Sequence, residues 1–313
     1  MSETPATGPP SVLLLAHGSP DSSGDVPKFL LRVTGGRALP PGVVEEVERR
    51  YKMIGRSPLT EITLEQGRLL AEKLRLPVYV GMRNWHPYIS DTLRQMVRNA
   101  VRHAVVICLA PQNSRTSVGL YRAALRSCAD PQLRFDFVES WHDQPQLIAA
   151  FAEKLRIGRD KARREMGKDV PVIFTAHSVP ERTVLEGDAY ESQARETASL
   201  VAAAAHLEPA EWRMAFQSQG MSGGAWLGPT VESTIMDLKR SLYSGVLLQP
   251  IGFLCDHVEV LYDIDIVFQQ FAAREGMRLW RAESLNDSPL LISALRDLAS
   301  SRLVAPAGSA TQP

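Results

Sequence analysis

Cysteine is scarce, and its spacing excludes most of what cysteine does in proteins. The three in this 313-residue chain, Cys108, Cys128 and Cys255, are too far apart for a CxxC unit and odd in number. They read as free thiols of a reducing compartment rather than as a disulfide framework or a zinc knuckle. Net charge is also lacking: 35 Lys and Arg balance 35 Asp and Glu. No basic field is available to hold a phosphate backbone, so nucleic acid is not an expected partner. No apolar run reaches the roughly 18 to 20 residues that span a bilayer, and the opening MSETPATGPP lacks the basic start and apolar core of a secretory signal. A cytoplasmic monomer with no integral membrane segment is expected. Glycine-rich phosphate loops are missing too. AHGSP has no GxGxxG spacing and no GKS or GKT occurs, which leaves dinucleotide and ATP binding without support. The ends, 1–10 and 304–313, are rich in Pro, Ala, Gly and Ser and are expected to be disordered.

What is present is a regular alternation. Strand-like runs occur at VLLLAH, PVYVGM, AVVICLAP and LRFDFVES, then at PVIFTAH, RMAFQSQ, GVLLQPIGFL and MRLWRAE. Between them lie stretches of helical period, such as Val43, Val47, Tyr51 and Ile54, or Tyr190, Ala194, Ala198, Val201 and Ala205. Strands alternating with helices imply parallel sheets covered on both faces. Eight strands in two sets of four predict an α/β chain of two Rossmann-like domains, each with a four-stranded parallel sheet and its own core. Residues 144–168 carry no strand signal and read as a bridging helix. The helical pattern PLLISALRDLASSRL at the end could cover either sheet.

Two histidines stand at ends of strand-like runs: His17 after VLLLA and His177 after VIFTA. The carboxyl edge of a parallel sheet is where a cleft opens. Neutral imidazole suits ferrous iron and similar metals, and its pKa near ~6.5 also lets it take a proton. Downstream, GFLCDHVEVLYDID places Glu259 and Asp263 four apart, on one face if the segment is helical. His257, two residues from Glu259, is expected to point elsewhere. Imidazole with carboxylates at one rim is a set for handling a divalent metal or moving protons.

The strings RYKMIGRSPLTEIT, VIFTAHSVP, FQSQGMSGGAWLGPTVE and QPIGFLCDHVEVLYDID, in that order within about residues 11–303, resemble the ferrochelatases, which insert ferrous iron into a porphyrin in haem synthesis. The resemblance implies a chelatase-like fold. Its domains would be 11–113 plus 281–303, with the last helix returned to the first domain, and 114–280. It makes His177 and Glu259 the catalytic and metal-handling pair, with Asp263 in an outer metal site. It also implies no organic cofactor, ferrous iron and a porphyrin as substrates, and handover to a downstream haem-synthesis enzyme. The match leans to the soluble coproporphyrin III branch, whose substrate contacts fall on Arg50, Tyr51, Ser57 and Tyr121, with Trp226 also lining the pocket.

The chain departs from that branch in several places. His17 stands where an iron-facing tyrosine is usual and would be axial to the porphyrin iron. Thr34 and Gly35 replace a pair of arginines, Asn84 replaces a histidine, and the acidic row gives way to Val267. Alternatives are a protoporphyrin IX ferrochelatase, a cobalt or nickel chelatase of related fold, and a non-catalytic haem or porphyrin carrier, which would not need the Glu259 carboxylate.

Overall fold

A computed structural model describes residues 8–220 and 224–303. Residues 1–7 and 304–313 of the ends expected to be disordered lie outside them, as do 221–223. Two parallel sheets are present. The first contains β1 (Ser11–Ala16), β2 (Val78–Met82), β3 (His103–Cys108) and β4 (Arg134–Val138) in the order β2-β1-β3-β4. The second contains β5 (Val172–His177), β6 (Trp212–Gln217), β7 (Gly245–Pro250) and β8 (Arg278–Arg281) in the equivalent order β6-β5-β7-β8. All eight strands were legible as apolar runs. The central strands β1 and β5 are buried along their lengths apart from His177, as expected where helices cover both faces.

The strand order fixes where a ligand can go. From β1 the chain crosses to β2 on one side, and β3 then pairs on the other side of β1; β5 has the same relation to β6 and β7. Each is a topological switch point, where loops leave in opposite directions and a crevice opens at the carboxyl edge. His17 follows β1 and His177 ends β5, so the two imidazoles occupy the two switch points.

Two expectations change. Arg134–Val138 pairs in register with β3, so the first sheet extends past the boundary placed at residue 113. The halves also do not keep separate cores. One cluster runs from Val12, Leu14 and Val105 of the first sheet, through Phe151 and Leu155, to Val172, Phe174 and Leu247 of the second. Phe151 and Leu155 belong to the helix Pro145–Met166, the bridging helix read from sequence. It starts where the Gln144 side chain accepts from the Leu147 N–H at 2.9 Å and ends at Gly167, φ +70°. The last helix, Pro289–Leu303, packs on this helix, on the helix Leu59–Leu74 and on β3, which places it on the first-sheet side. Only the outer faces of the sheets have clusters of their own.

Candidate active site

The two switch points open into one cleft of about 810 Å³, lined from the first half by His17, Phe29, Tyr51, Arg83 and Tyr121 and from the second by His177, Tyr190, Trp226, His257 and Glu259. The corners carrying the histidines are tightly packed. Gly18 has φ +84°, and a Cβ there would lie 2.8 Å from the Trp85 nitrogen. A Cβ on Gly252 would lie 2.9 Å from Ala176 Cβ, so only glycine lets the turn after β7 close against the end of β5.

Three imidazoles are oriented in the same way. Nδ1 of His17 bonds the Gly18 carbonyl at 3.0 Å, Nδ1 of His257 bonds the Cys255 carbonyl at 3.0 Å, and Nδ1 of His177 bonds the Ser178 carbonyl. A carbonyl only accepts, so each Nδ1 carries the proton and each Nε2 is left for the cleft. His177 Nε2 lies 3.6 Å from one Glu259 oxygen and His257 Nε2 lies 3.6 Å from the other. The carboxylate therefore sits between two imidazoles. Among the described residues no group of three or more His, Cys, Asp or Glu has the geometry of a metal cage.

His257 was missed because two residues apart on a helix means different sides. It is in fact the residue before the helix Val258–Leu261, in extended backbone at φ −162° and ψ −176°, and there the helical rule does not apply. Gln217 at the end of β6 was missed as well. Its amide donates to the Glu259 carbonyl at 2.9 Å, its side-chain oxygen accepts from Thr175 at 3.0 Å, and its backbone carbonyl accepts from the Ser178 N–H at 2.7 Å. It thereby ties Glu259 to the strand that carries His177.

Electrostatics separate the groups. Burial pulls the His177 imidazole down, but the Glu259 charge and hydrogen bond, the Ser178 carbonyl and the Asp263 charge together push it up to about 9. Burial disfavours the Glu259 carboxylate, yet His177 and then His257 hold it well below the usual carboxylate range. The pair rests as imidazolium and carboxylate, sharing one titratable proton. Burial and then the Arg83 charge lower His17 to about 4, so this imidazole stays neutral with a free Nε2. Burial and the neighbouring Glu259 charge raise Asp263 to about 6 against its bond from Ser218.

Of the residues expected at the site, His17, His177, Glu259, Tyr51, Tyr121 and Trp226 line the cleft, whereas Arg50, Ser57 and Asp263 stand outside its wall. Arg50 donates to Glu46 at 2.9 Å, lies 3.9 Å from Asp263 and covers the Tyr262 ring at 5.1 Å. The Ser57 hydroxyl accepts from the Leu59 N–H at 3.4 Å, at the start of the helix Leu59–Leu74. Asp263 is buried behind Glu259 with its carboxylate on the Ser218 hydroxyl. Asp263 opens a π-helical turn, Asp263–Phe268, in which the Val267 N–H bonds the Tyr262 carbonyl five residues back. Val267 consequently packs toward the second-sheet core instead of extending the acidic face. Asn84 is buried with an unpartnered amide nitrogen, also off the cleft wall. Among the described residues the outer metal site implied by resemblance thus has no row of cleft-facing carboxylates. No described helix is long and apolar enough to cross a membrane.

The chain is similar to known proteins. Residues 10–303 match the Ferrochelatase family model. The chain is similar to a Ferrochelatase of Acidobacterium capsulatum, 53% identical over 307 residues and 94% of each chain. It is also similar to a Coproporphyrin III ferrochelatase of a Geobacillus species, 32% identical over 305 residues, 93% of this chain and 97% of that one. Among solved structures, the sirohydrochlorin chelatase SirB from Bacillus subtilis subspecies spizizenii aligns with TM-score 0.56 over 97% of this chain and 100% of that chain at 11% identity, a likeness of fold alone. With the family model spanning both sheets and the cleft between them, the chain belongs to the ferrochelatase family and is a porphyrin metal chelatase.

Proposed function

We propose that this chelatase inserts ferrous iron into coproporphyrin III, with His177 and Glu259 receiving the metal and removing the displaced protons. The observation that carries the reading is the cluster of His177, Glu259 and His257 on one wall of a cleft whose other half presents the neutral Nε2 of His17. The relatives named Coproporphyrin III ferrochelatase and the excess of cationic over anionic groups from the first half of the cleft wall support the tetracarboxylate substrate over protoporphyrin IX.

The proton balance follows from the pair. Ferrous iron and a porphyrin with two N–H groups give metalloporphyrin and two protons. Iron arriving at His177 displaces the proton that the imidazole holds at rest, which costs less because Glu259 remains as a second ligand. A flat macrocycle shields its lone pairs behind the N–H groups, so a wall that fits the bent ring favours the transition state over the ground state. As iron moves to the pyrrole nitrogens, the freed imidazole takes one proton. Glu259 takes the other and can pass it to His257 on its far oxygen. Iron stays ferrous and no group is transferred, so no organic cofactor enters the scheme.

In a chelation assay offering ferrous iron with coproporphyrin III and protoporphyrin IX side by side, the first should be metallated with the higher kcat/KM. Equal or reversed preference would overturn the substrate assignment.

His17 in this reading is the axial ligand of the product iron. Its Nε2 is unprotonated across the physiological range, and imidazole is a stronger-field ligand than phenolate. Resonance Raman spectra of the iron coproporphyrin complex should show ligation bands that disappear in His17→Ala; unchanged bands would make His17 a purely structural residue of the loop.

A further inference from the structure

The cleft holds a charge that neither the fold nor the reaction accounts for. Arg83 follows β2, and its backbone N–H bonds the Ala16 carbonyl at 3.0 Å, while the next N–H, of Asn84, bonds the His17 carbonyl at 3.0 Å. Residue 83 is thereby fixed to the same corner as His17. The guanidinium lines the cleft and is partly buried, and among the described residues it has no carboxylate, carbonyl or hydroxyl partner. Arg50, the arginine expected to meet substrate, is engaged instead by Glu46 and stacked over Tyr262.

A guanidinium removed from water without a counter-charge is destabilising, and a carboxylate presented to its planar fork relieves that cost through paired, charge-assisted hydrogen bonds. Among the described residues none supplies the carboxylate. Tyr121 adds a hydroxyl on the same cleft surface. Arg37 also lines the cleft without a side-chain partner, but it is exposed, so water already satisfies it.

We infer that Arg83 is a carboxylate-docking residue for the substrate, holding a propionate beside the His17 corner and taking the part that resemblance assigned to Arg50. The inference rests on the cleft being a porphyrin site and deepens that reading by naming the group that selects for carboxylates. In the free protein the fork awaits the substrate, so the energy of the interaction appears on binding rather than in folding. Docking one edge of the macrocycle there sets which pyrrole nitrogens face His177.

The test is binding without iron, read by porphyrin absorbance and tryptophan quenching, with coproporphyrin III and its neutral tetramethyl ester as probes. Arg83→Gln should weaken coproporphyrin III binding about tenfold or more, the scale of a lost hydrogen bond to a charged group. Binding of the ester should stay within about twofold, and Arg83→Lys should recover part of the loss, because charge without the fork is a weaker match. Arg37→Gln, as the exposed control, should change coproporphyrin III binding less than Arg83→Gln. An equal loss for acid and ester, or no loss for either, overturns the assignment. The substrate reading fails separately: a wild-type preference for protoporphyrin IX in the insertion assay would sink it even where Arg83 proves to select carboxylates.

Discussion

His177→Ala should abolish iron insertion while leaving porphyrin affinity within about tenfold, a change of roughly 1.4 kcal/mol or less. One imidazole contributes little of the wall of an 810 Å³ cleft, but in the proposed scheme it is the group whose proton the metal must replace. The same variant should also flatten a pH dependence. With His177 raised to about 9 by its neighbours, metal binding to the wild type releases a proton throughout the neutral range. Apparent affinity, followed with cobalt as a stable probe, should tighten roughly tenfold per pH unit between about pH 6 and about pH 8. In the alanine variant that slope should vanish. Linkage gives the accompanying sign for stability. A folded-state pKa raised above the unfolded value favours the fold below about 6.5, and the contribution is lost as pH rises through about 9. Near wild-type turnover in the purified variant would remove His177 from the mechanism.

Glu259→Gln should retain the fold and lose most activity. The amide has nearly the shape of the carboxylate and keeps the backbone bond from Gln217, but it can neither hold a proton from the macrocycle nor balance the His177 imidazolium at 3.6 Å. Without that charge the His177 pKa should fall, because the Glu259 charge and hydrogen bond are the leading influences that raise it against burial. NMR titration of the imidazole provides a readout independent of turnover. Asp263→Asn should be milder, since Asp263 lies behind the cleft wall and bonds Ser218. A larger loss at Asp263 than at Glu259 would mean that the reactive carboxylate is the buried one.

Sequence carried the architecture and half of the site. The eight strands were legible because a strand covered on both faces must be apolar throughout, and runs such as VLLLA and VIFTA have few other uses. His17 and His177 were legible because each follows such a run without a break. The remainder depended on local backbone that periodicity does not encode. His257 joined the cluster through an extended residue just outside a helix. Arg50 was a substrate contact by resemblance alone, and in the free protein it pairs with Glu46 one helical turn away at the i, i+4 spacing. Arg83 carried no signal at all: a single arginine after a strand is ordinary until its lack of a partner can be seen. The shared core was equally hidden, because which sheet a bridging helix covers is a question of packing and not of pattern.

The π-helical turn at Asp263–Phe268 has a consequence for how this segment tolerates change. Ahead of it Glu259 faces the cleft; within and beyond it Ile264, Phe268 and Ala272 are buried against the second sheet, and Asp265 holds Arg281 through two bonds of 2.7 and 3.0 Å. A π turn has one residue more than an α turn, and each residue turns a helix by about 100°. The angular phase between Glu259 and the apolar stripe that anchors it is therefore kept by the wide turn, which absorbs one residue. An exchange of side chains within the segment leaves that phase intact. Regular helix at unchanged length would turn Glu259 and its anchor against each other by about a quarter of a revolution, whereas loss of one residue within the turn would give regular helix with that phase kept, so the wide turn is what lets this segment carry its extra residue.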